Sequence, residues 1–276
     1  MASEPTSRQH SGLLPFFLLT FLITWGVAAF LFLFPNQFKA LFGTLTAASP
    51  IFVLAVAAPT ISATIITYIL SRGPGLRALY ARIVQWRFGV QWYALVIVGL
   101  PLLGFIVSRV TPAHPQYDVS TPAMVILLLL KELILGPLGE ELGWRGFALP
   151  RLLQRFNPFV ASLILGVIWG VWHLPALFVS TLPQGQLAIP SFLFFALCLS
   201  FLVTWLYLHT GRSVLIAVLF HLMINMALDA FGTSLPALGA VITVWAVLVI
   251  ALDRSIVWFG PPKPEPAAVS VRAADS

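Results

Sequence analysis

The hydrophobic pattern of the chain consists of long apolar stretches separated by short connectors that carry most of the charged residues. Because a membrane-spanning helix needs about 20 consecutive, mostly apolar residues, the pattern predicts about eight such helices. No segment of about ten residues alternates apolar and polar positions, as the strands of a membrane barrel would. The predicted fold is therefore all-α, a polytopic membrane helical bundle of about eight transmembrane helices. The predicted spans lie near residues 13–34, 45–70, 92–110, 122–143, 159–179, 188–208, 213–230 and 235–252.

Composition supports a lipid environment for most of the surface. The 276 residues are 59% hydrophobic and 9% charged, with a mean hydropathy of +0.97, whereas about a quarter of the residues in soluble domains are charged. These values exclude a water-soluble globule. Although the net charge is +6, the basic residues form no continuous stripe, so we expect the lipid bilayer and no nucleic acid as a partner. The single cysteine, Cys198, excludes an internal disulfide.

The basic residues predict the orientation in the membrane, because cytoplasmic connectors are enriched in Lys and Arg. With the N-terminus inside, twelve basic residues fall on the cytoplasmic side, only Lys39 and Arg109 fall outside, and Lys131 lies within a span. We therefore expect a multi-pass protein of the cell membrane with both termini in the cytoplasm. The twelve residues are Arg8, Arg72, Arg77, Arg82, Arg87, Arg145, Arg151, Arg155, Arg212, Arg254, Lys263 and Arg272.

The spans and the C-terminal composition predict the domain organisation. Residues 1–259 are expected to form a single membrane domain. The segment 260–276 begins with four prolines within seven residues, at Pro261, Pro262, Pro264 and Pro266. Such a segment buries too little apolar surface to fold, so we expect a disordered cytoplasmic tail.

Charged and polar residues inside the spans are the candidates for function, because a charge at bilayer depth costs a few kcal/mol and is rarely incidental. They fall in the fourth, fifth and seventh spans or at their ends, which suggests a polar centre within a lipid-facing scaffold. The candidates are Lys131, Glu132, Glu140, Glu141, Arg145, His173, His221, Asn225 and Asp229.

The fourth span carries two adjacent glutamates with different predicted roles. Neighbouring residues on a helix point about 100° apart, so Glu140 and Glu141 cannot share one task. Glu141 and Arg145 are four residues apart in the favourable order for an ion pair, which leaves Glu140 for chemistry. The alternative is that all three residues form a charge cluster at the inner end of the helix.

Two histidines complete the candidate site. Asn157-Pro158 is a plausible turn, and Glu140 and His173 lie at near-equal distances from it along the chain. Two antiparallel helices would then bring both side chains to the same level. Trp169 shares a helix face with His173, as Asn225 does with His221. A lone histidine in a span is more often a packing residue, but this combination on three helices favours a functional site.

Three further residues receive a structural interpretation. Lys131 and Glu132, near the middle of the fourth span, are expected to pair with other helices or to extend toward the interface. Asp229 is expected to be solvated at the outer interface. The fourth to seventh spans should enclose a polar cavity that opens toward the cytoplasm.

The ordered motifs Glu140-Glu141-x-x-x-Arg145, Trp169-x-x-x-His173 and His221-x-x-x-Asn225 resemble those of the CPBP family. This family comprises the CAAX proteases and bacteriocin-processing enzymes, also called Abi proteins, and includes the type II CAAX prenyl endopeptidases. The resemblance is strong over about 140–225, and the CPBP/Abi core is expected at about 120–230. The phrases W-R-G-F and W-H-L-P are similar as well. One departure is Trp169, which stands where the family usually has phenylalanine, and we expect no chemical consequence.

The resemblance implies an intramembrane endopeptidase, with Glu140, His173, His221 and Asn225 as catalytic residues. Glu141, Arg145 and Trp169 would support the site. Amide hydrolysis needs an activated water, a stabiliser for the oxyanion and a proton donor. In this scheme Glu140 serves as general base and then acid, His173 holds the water, and His221 with Asn225 stabilises the oxyanion.

Whether the site holds a divalent metal is an open question. Glu140, His173 and His221 would be a credible three-ligand set for catalytic zinc, and the family is commonly labelled metalloprotease. The chain has no H-E-x-x-H motif, and the same residues can hydrolyse an amide without metal. Both routes stay open at this stage.

The substrate and the functional class also have alternatives. A prenylated C-terminal peptide, a leader peptide and a segment of a membrane protein are all suitable substrates. A non-catalytic immunity or scaffold protein of the same family is one competing class. A proton-coupled transporter is another, since buried Glu and His can relay protons.

Overall fold

The computed structural model describes residues 12–111, 115, 117, 119–182, 185 and 187–257. The described part of the chain contains helices and no strand, which confirms the all-α prediction. The predicted tail, 260–276, lies outside the described residues. The first five helices are α1 (Leu13–Leu33), α2 (Pro35–Phe42), α3 (Pro50–Val56), α4 (Ala58–Ala81) and α5 (Val90–Val110).

The remaining helices include those that carry the three motifs. They are α6 (Pro122–Leu135), α7 (Pro137–Glu141, continued by the π-helical stretch Leu142–Ala148 and the turn Leu149–Leu152), α8 (Pro158–Trp172), α9 (Leu174–Leu177), α10 (Ile189–His209), α11 (Val214–Asp229), α12 (Leu235–Leu252) and α13 (Arg254–Val257). Each of the eight predicted apolar stretches thus contains at least one helix.

The lengths of the helices support a multi-pass membrane bundle. Among the described residues, five helical stretches are long and apolar enough to cross a membrane, and one of them is α6 and α7 taken together (Pro122–Leu152). A sixth results if α3 and α4, bent by 56°, count as one span. Helices α8 and α11 are shorter, with 15 and 16 residues. The count of eight crossings therefore stays a prediction, as does the orientation of the termini.

Local sequence signals begin and interrupt the helices near the site. Asn157 caps α8, with its Oδ1 accepting a hydrogen bond from the Val160 backbone N–H at 2.9 Å. A proline at the first helical position then fixes the backbone angle that a helix needs, so the predicted turn at 157–158 is present. Gly136 separates α6 from α7, with φ −146° and ψ −91°. This break in the helical backbone lies four residues before Glu140.

Close backbone approaches fix α7 and α5 against their neighbours. A Cβ atom on Gly143 would lie 2.5 Å from the backbone of Pro59 in α4, and a Cβ atom on Gly104 would lie 2.7 Å from the Ala227 methyl group in α11. Because any side chain would push these helices apart, the two glycines allow α4 and α5 to pack directly around α7 and α11. Helix α11 is buried along most of its length.

The two ends of the bundle are distinct. At one end, named here the basic end, lie the connectors 82–89, 153–157 and 210–213, and the first and last of these are in contact. Gln85 donates to the Gly211 carbonyl at 2.7 Å, and Arg82 donates to the Gly146 carbonyl at 3.1 Å. At the opposite end, the connectors near 43–49 and 174–182 meet, and Thr181 donates to the Leu45 carbonyl at 2.6 Å.

Selective labelling of the two ends tests the orientation predicted from the basic residues. In a Cys198→Ala chain we place one new cysteine at Ala48 of the opposite end or at Arg155 of the basic end, both exposed. A membrane-impermeant maleimide should label Ala48→Cys in intact cells and Arg155→Cys only after permeabilisation, because Arg-rich connectors stay inside. The reverse labelling would show that the basic end faces outward.

Candidate active site

A single cavity brings the predicted site residues together. Its volume is about 590 Å³, and most of its wall is apolar. The four predicted catalytic residues and Trp169 all line it, together with three residues that had a structural interpretation. The polar residues in its wall include Lys131, Glu132, Glu140, His173, His221, Asn225 and Asp229.

Glu140 occupies the first turn of α7 and is 4% exposed. The indole N–H of Trp169 donates to its Oε2 at 2.7 Å. Nε2 of His173 lies 3.9 Å from the same oxygen, too far for a direct hydrogen bond. Arg145 pairs with Glu141 and not with Glu140. Among the described residues, the basic side chain recorded within 4 Å of the Glu140 carboxylate is that of His173.

His173 ends α8 and faces Glu140 with a defined ring atom. Its Nδ1 lies 2.8 Å from the Trp169 carbonyl oxygen. Because a carbonyl only accepts, Nδ1 carries the hydrogen, and Nε2 of the neutral ring keeps its lone pair. Edge contacts with Trp172 and Phe192, at centroid distances of 4.6 and 5.1 Å, hold the ring. The lone pair at Nε2 is therefore available on the side of Glu140.

Glu141 and Arg145 form the predicted intrahelical ion pair, and both side chains are completely buried. One guanidinium nitrogen donates to both carboxylate oxygens, at 2.9 and 3.0 Å. The sequence interpretation missed the third member, His221, whose Nδ1 lies 2.9 Å from Oε1 of Glu141. Glu141 thus joins α7 to α11 and leaves Nε2 of His221 for the cavity.

Asn225 lies one turn beyond His221 on α11 and also lines the cavity. Its Nδ2 donates to Oε2 of Glu132 on α6 at 3.3 Å. The sequence interpretation did not connect these two residues, since nothing in their spacing links a position on one helix to a position on another. The shared helix face of His221 and Asn225 is nevertheless the one that meets the site.

Asp229 was wrongly predicted to be solvated. It is 8% exposed and lines the cavity, and its Oδ2 lies 3.8 Å from Nζ of Lys131. Lys131 also forms an ion pair with Glu132 and lies over the ring of Tyr117, 4.0 Å from its centroid. The prediction used distance from the end of the span, whereas α11 is enclosed by other helices and its last turn has little contact with solvent.

Trp169 contributes more than the aromatic surface that was predicted. Besides its hydrogen bond to Glu140, its ring contacts the rings of His173 and His221 at 5.4 and 5.5 Å and the guanidinium of Arg145 at 4.8 Å. Phenylalanine offers no N–H group, so the departure from the usual motif does have a chemical consequence. The available signal was the donor that tryptophan carries in an apolar span.

The cavity extends away from the basic end. Its wall includes residues of the connectors at the opposite end, such as Leu45, Val179 and Leu187, and the start of α12 at Leu235. The prediction of an opening toward the cytoplasm relied on depth alone, and this lining does not agree with it under the predicted orientation, in which these connectors lie outside.

The donor groups do not form a ready metal site. Within the described residues, no group of three His, Cys, Asp or Glu side chains has the spacing to hold a metal ion. Trp169 donates to one oxygen of Glu140, and each histidine uses Nδ1 in a hydrogen bond and keeps Nε2, the arrangement that metal-binding histidines also have. The divalent metal at Glu140, His173 and His221 therefore stays a prediction, and no step below depends on it.

Two comparisons with known proteins match the part of the chain that carries the predicted site residues. Residues 122–227 match the family model described as type II CAAX prenyl endopeptidase Rce1-like. The chain is also 30% identical over 144 residues to CAAX prenyl protease 2 of Methanococcus maripaludis, covering 49% of this chain and 52% of that protein. It thus spans about half the length of the curated relative that it matches.

The fold and the site define a polytopic helical membrane protein with a buried Glu/His centre. Residues 122–227, from the start of α6 nearly to the end of α11, are similar to the type II CAAX prenyl endopeptidase Rce1-like family. The resemblance expected from the three motifs is confirmed over this segment. The catalytic roles of the individual side chains stay predictions.

Neutralising each glutamate in turn tests their different environments. Glu141→Gln removes one charge of a fully buried pair, and we expect it to lower the free energy of unfolding by about 3–5 kcal/mol, because Arg145 is left unpaired. Glu140→Gln is the matched control, because Arg145 pairs with Glu141 and not with Glu140. We expect this control to have little effect on stability. Thermal unfolding in detergent measures both. Equal melting temperatures for the two variants would contradict the assignment of Glu141 to structure.

Proposed function

We propose that the protein is an intramembrane endopeptidase, which hydrolyses a peptide bond of a membrane-associated substrate with a water molecule activated by Glu140. The observation that carries this proposal is the buried carboxylate of Glu140, which lines the cavity beside Nε2 of His173 at 3.9 Å. A similar protein is named CAAX prenyl protease 2, which supports the same reaction class.

The attacking water would lie between Glu140 and His173. Nε2 of the neutral ring and the carboxylate oxygen are both acceptors and cannot bond to each other, but at a separation of 3.9 Å one water can donate to both. Glu140 removes a proton as the water oxygen adds to the carbonyl carbon. The same carboxyl group then returns the proton to the leaving amine as the C–N bond breaks. Trp169 fixes the carboxylate through its hydrogen bond at 2.7 Å.

The oxyanion would be stabilised from α11. Asn225 supplies an N–H donor, and His221 supplies Nε2–H when its ring is protonated. Glu141 fixes the ring because it accepts from Nδ1 at 2.9 Å, so Nε2 is the nitrogen that faces the reaction. Preorganised donors in a site that excludes water lower the barrier most effectively where the charge develops.

The chemistry of the cavity supports a hydrophobic or lipid-modified substrate. The wall is mainly apolar, and the residues around it include Val27, Leu31, Phe192 and Phe195. A prenylated C-terminal peptide suits this wall, and the name of the relative supports it. A leader peptide or a segment of a membrane protein offers the same class of surface.

Glu140→Gln tests the proposed reaction. The amide retains the oxygen that accepts from Trp169 but cannot take a proton, so we expect kcat to fall by at least about 10²-fold, the lower range for general acid–base catalysis. The melting temperature should not fall. The substrate is an internally quenched peptide with a prenylated C-terminal CAAX sequence, presented in liposomes that contain the purified protein.

Cleavage by Glu140→Gln at the wild-type rate would contradict the assignment. The other functional classes predict different results with the same variant. An immunity or scaffold protein would keep its full biological activity in a Glu140→Ala, His173→Ala double variant. A transporter would show a pH-driven flux in liposomes that disappears with Glu140→Gln.

Chelation tests the alternative of a divalent metal. Because the proposed water is held by hydrogen bonds to Glu140 and His173, we expect undiminished cleavage after dialysis against a chelator. Metal content is measured for the wild type and for a His173→Ala, His221→Ala double variant. Near-stoichiometric zinc that is absent from the double variant, together with cleavage that stops under chelator, would make these side chains metal ligands.

A further inference from the structure

Glu132 stands outside the three motifs, yet it contacts one of the residues proposed for catalysis. It lies in the last turn of α6, is 8% exposed and lines the cavity. One carboxylate oxygen pairs with Lys131, and the other accepts from Nδ2 of Asn225 at 3.3 Å. Glu132 therefore connects an ion pair on α6 with an amide on α11.

The chemistry of a carboxylate determines which way the Asn225 amide points. An amide has an oxygen end and an NH₂ end of nearly equal size, and packing alone barely distinguishes them. An ionised carboxylate only accepts hydrogen bonds, so it selects the NH₂ end. Nδ2 carries two hydrogens, and after one has been donated to Glu132 the second remains for the oxygen of a bound substrate.

The break between α6 and α7 brings this region of α6 close to Asn225. A Cβ atom added to Gly136 would lie 3.2 Å from Nδ2 of Asn225 and 3.4 Å from the Glu132 carbonyl oxygen. Gly136 thus leaves room for the amide beside the end of α6. Glu132 and Gly136, four residues apart, both border the same nitrogen.

Lys131 and Asp229 hold Glu132 in place. Lys131 pairs with Glu132 and lies 3.8 Å from Oδ2 of Asp229, one turn beyond Asn225 on α11. Its ammonium group balances the charge of Glu132 in an apolar region. A continuous line of polar contacts therefore runs along the cavity wall from Asp229 through Lys131 and Glu132 to Asn225.

We infer that Glu132 is a positioning residue for peptide-bond hydrolysis: it turns the Asn225 amide so that an N–H group is presented to the developing oxyanion. This inference rests on the proposed function. It gives Glu132 an effect on the chemical step, carried entirely through Asn225. If Glu132 only joined α6 to α11, its substitution would lower stability, and its effect on kcat would not depend on whether Asn225 is present.

A double-mutant cycle on the full-length protein in liposomes tests the inference with the same prenylated peptide. Asn225→Ala removes an oxyanion donor and should lower kcat by about 10²- to 10³-fold. Glu132→Ala should lower kcat by at least about tenfold, a smaller loss than that of the donor itself, with KM little changed. In the Asn225→Ala background, Glu132→Ala should cause no further loss, because it acts through that amide.

Two variants separate positioning from stability. Asp229→Asn weakens the ion-pair cluster that holds Glu132 but leaves the contact between Glu132 and Asn225, so it should lower kcat less than Glu132→Ala does, with no further loss in the Asn225→Ala background. Glu132→Gln offers an oxygen that can still accept from Asn225, and it should keep more activity than Glu132→Ala. If Glu132→Ala does not fold, the cycle is completed with Glu132→Leu, which also lacks an acceptor for Asn225 but fills the volume of the side chain.

The outcomes distinguish this inference from the proposed function. Losses from Glu132 and Asn225 that multiply in the double variant, or an unchanged kcat in Glu132→Ala, would overturn the positioning role alone, provided that the wild type cleaves and Glu140→Gln does not. A wild type without cleavage would overturn the proposed function, and the role of Glu132 with it.

Discussion

The burial of Glu141 and Arg145 is the constraint on which the geometry around the cavity depends. Moving two charges out of water costs several kcal/mol per ion, and only close pairing with further hydrogen bonds offsets it. Both side chains are fully buried, and His221 completes the set from α11. Helices α7 and α11 therefore have one favourable rotation and level relative to each other. Glu140 and Asn225 take their positions from that arrangement.

Small residues and helix breaks make this arrangement compatible with a lipid-facing bundle. Gly143 lets α7 approach α4, and Gly104 lets α5 approach α11. Gly136 and the proline after it interrupt the helical backbone between α6 and the two glutamates. The outer helices expose large apolar side chains, as α1 does at Leu14 and Leu22. Polar chemistry is thus confined to the centre, where other helices cover it.

The sequence predicted contacts within a helix far better than contacts between helices. The four-residue spacing correctly indicated the pair of Glu141 and Arg145, since helix geometry alone determines it. The bond between Trp169 and Glu140, and that between His221 and Glu141, span 29 and 80 positions. Such contacts depend on how each helix is rotated about its axis, which hydrophobicity does not specify when a helix is apolar on every side.

The errors and the open predictions have related physical causes. Distance from the end of a span suggested that Asp229 meets water, but burial depends on neighbouring helices. Depth likewise gave no direction for the cavity. The count of eight spans remains open because α8 and α11 are shorter than a helix that crosses a bilayer usually is. A helix that is surrounded by other helices does not contact lipid, so its length need not equal the thickness of the bilayer. What the sequence supplied reliably was the inventory of chemical groups and the helices that carry them.

The volume of the cavity restricts the backbone conformation of whatever enters it. An α-helix with its side chains is about 10–12 Å across and rises about 5.4 Å in each turn, so a space of about 590 Å³ holds little more than one turn. Under the proposed function, a helical segment would have to unwind before its peptide bond could reach Glu140. The enzyme would then prefer substrates with glycine, proline or a frayed helix end near the bond, and the cost of local melting would be part of its specificity.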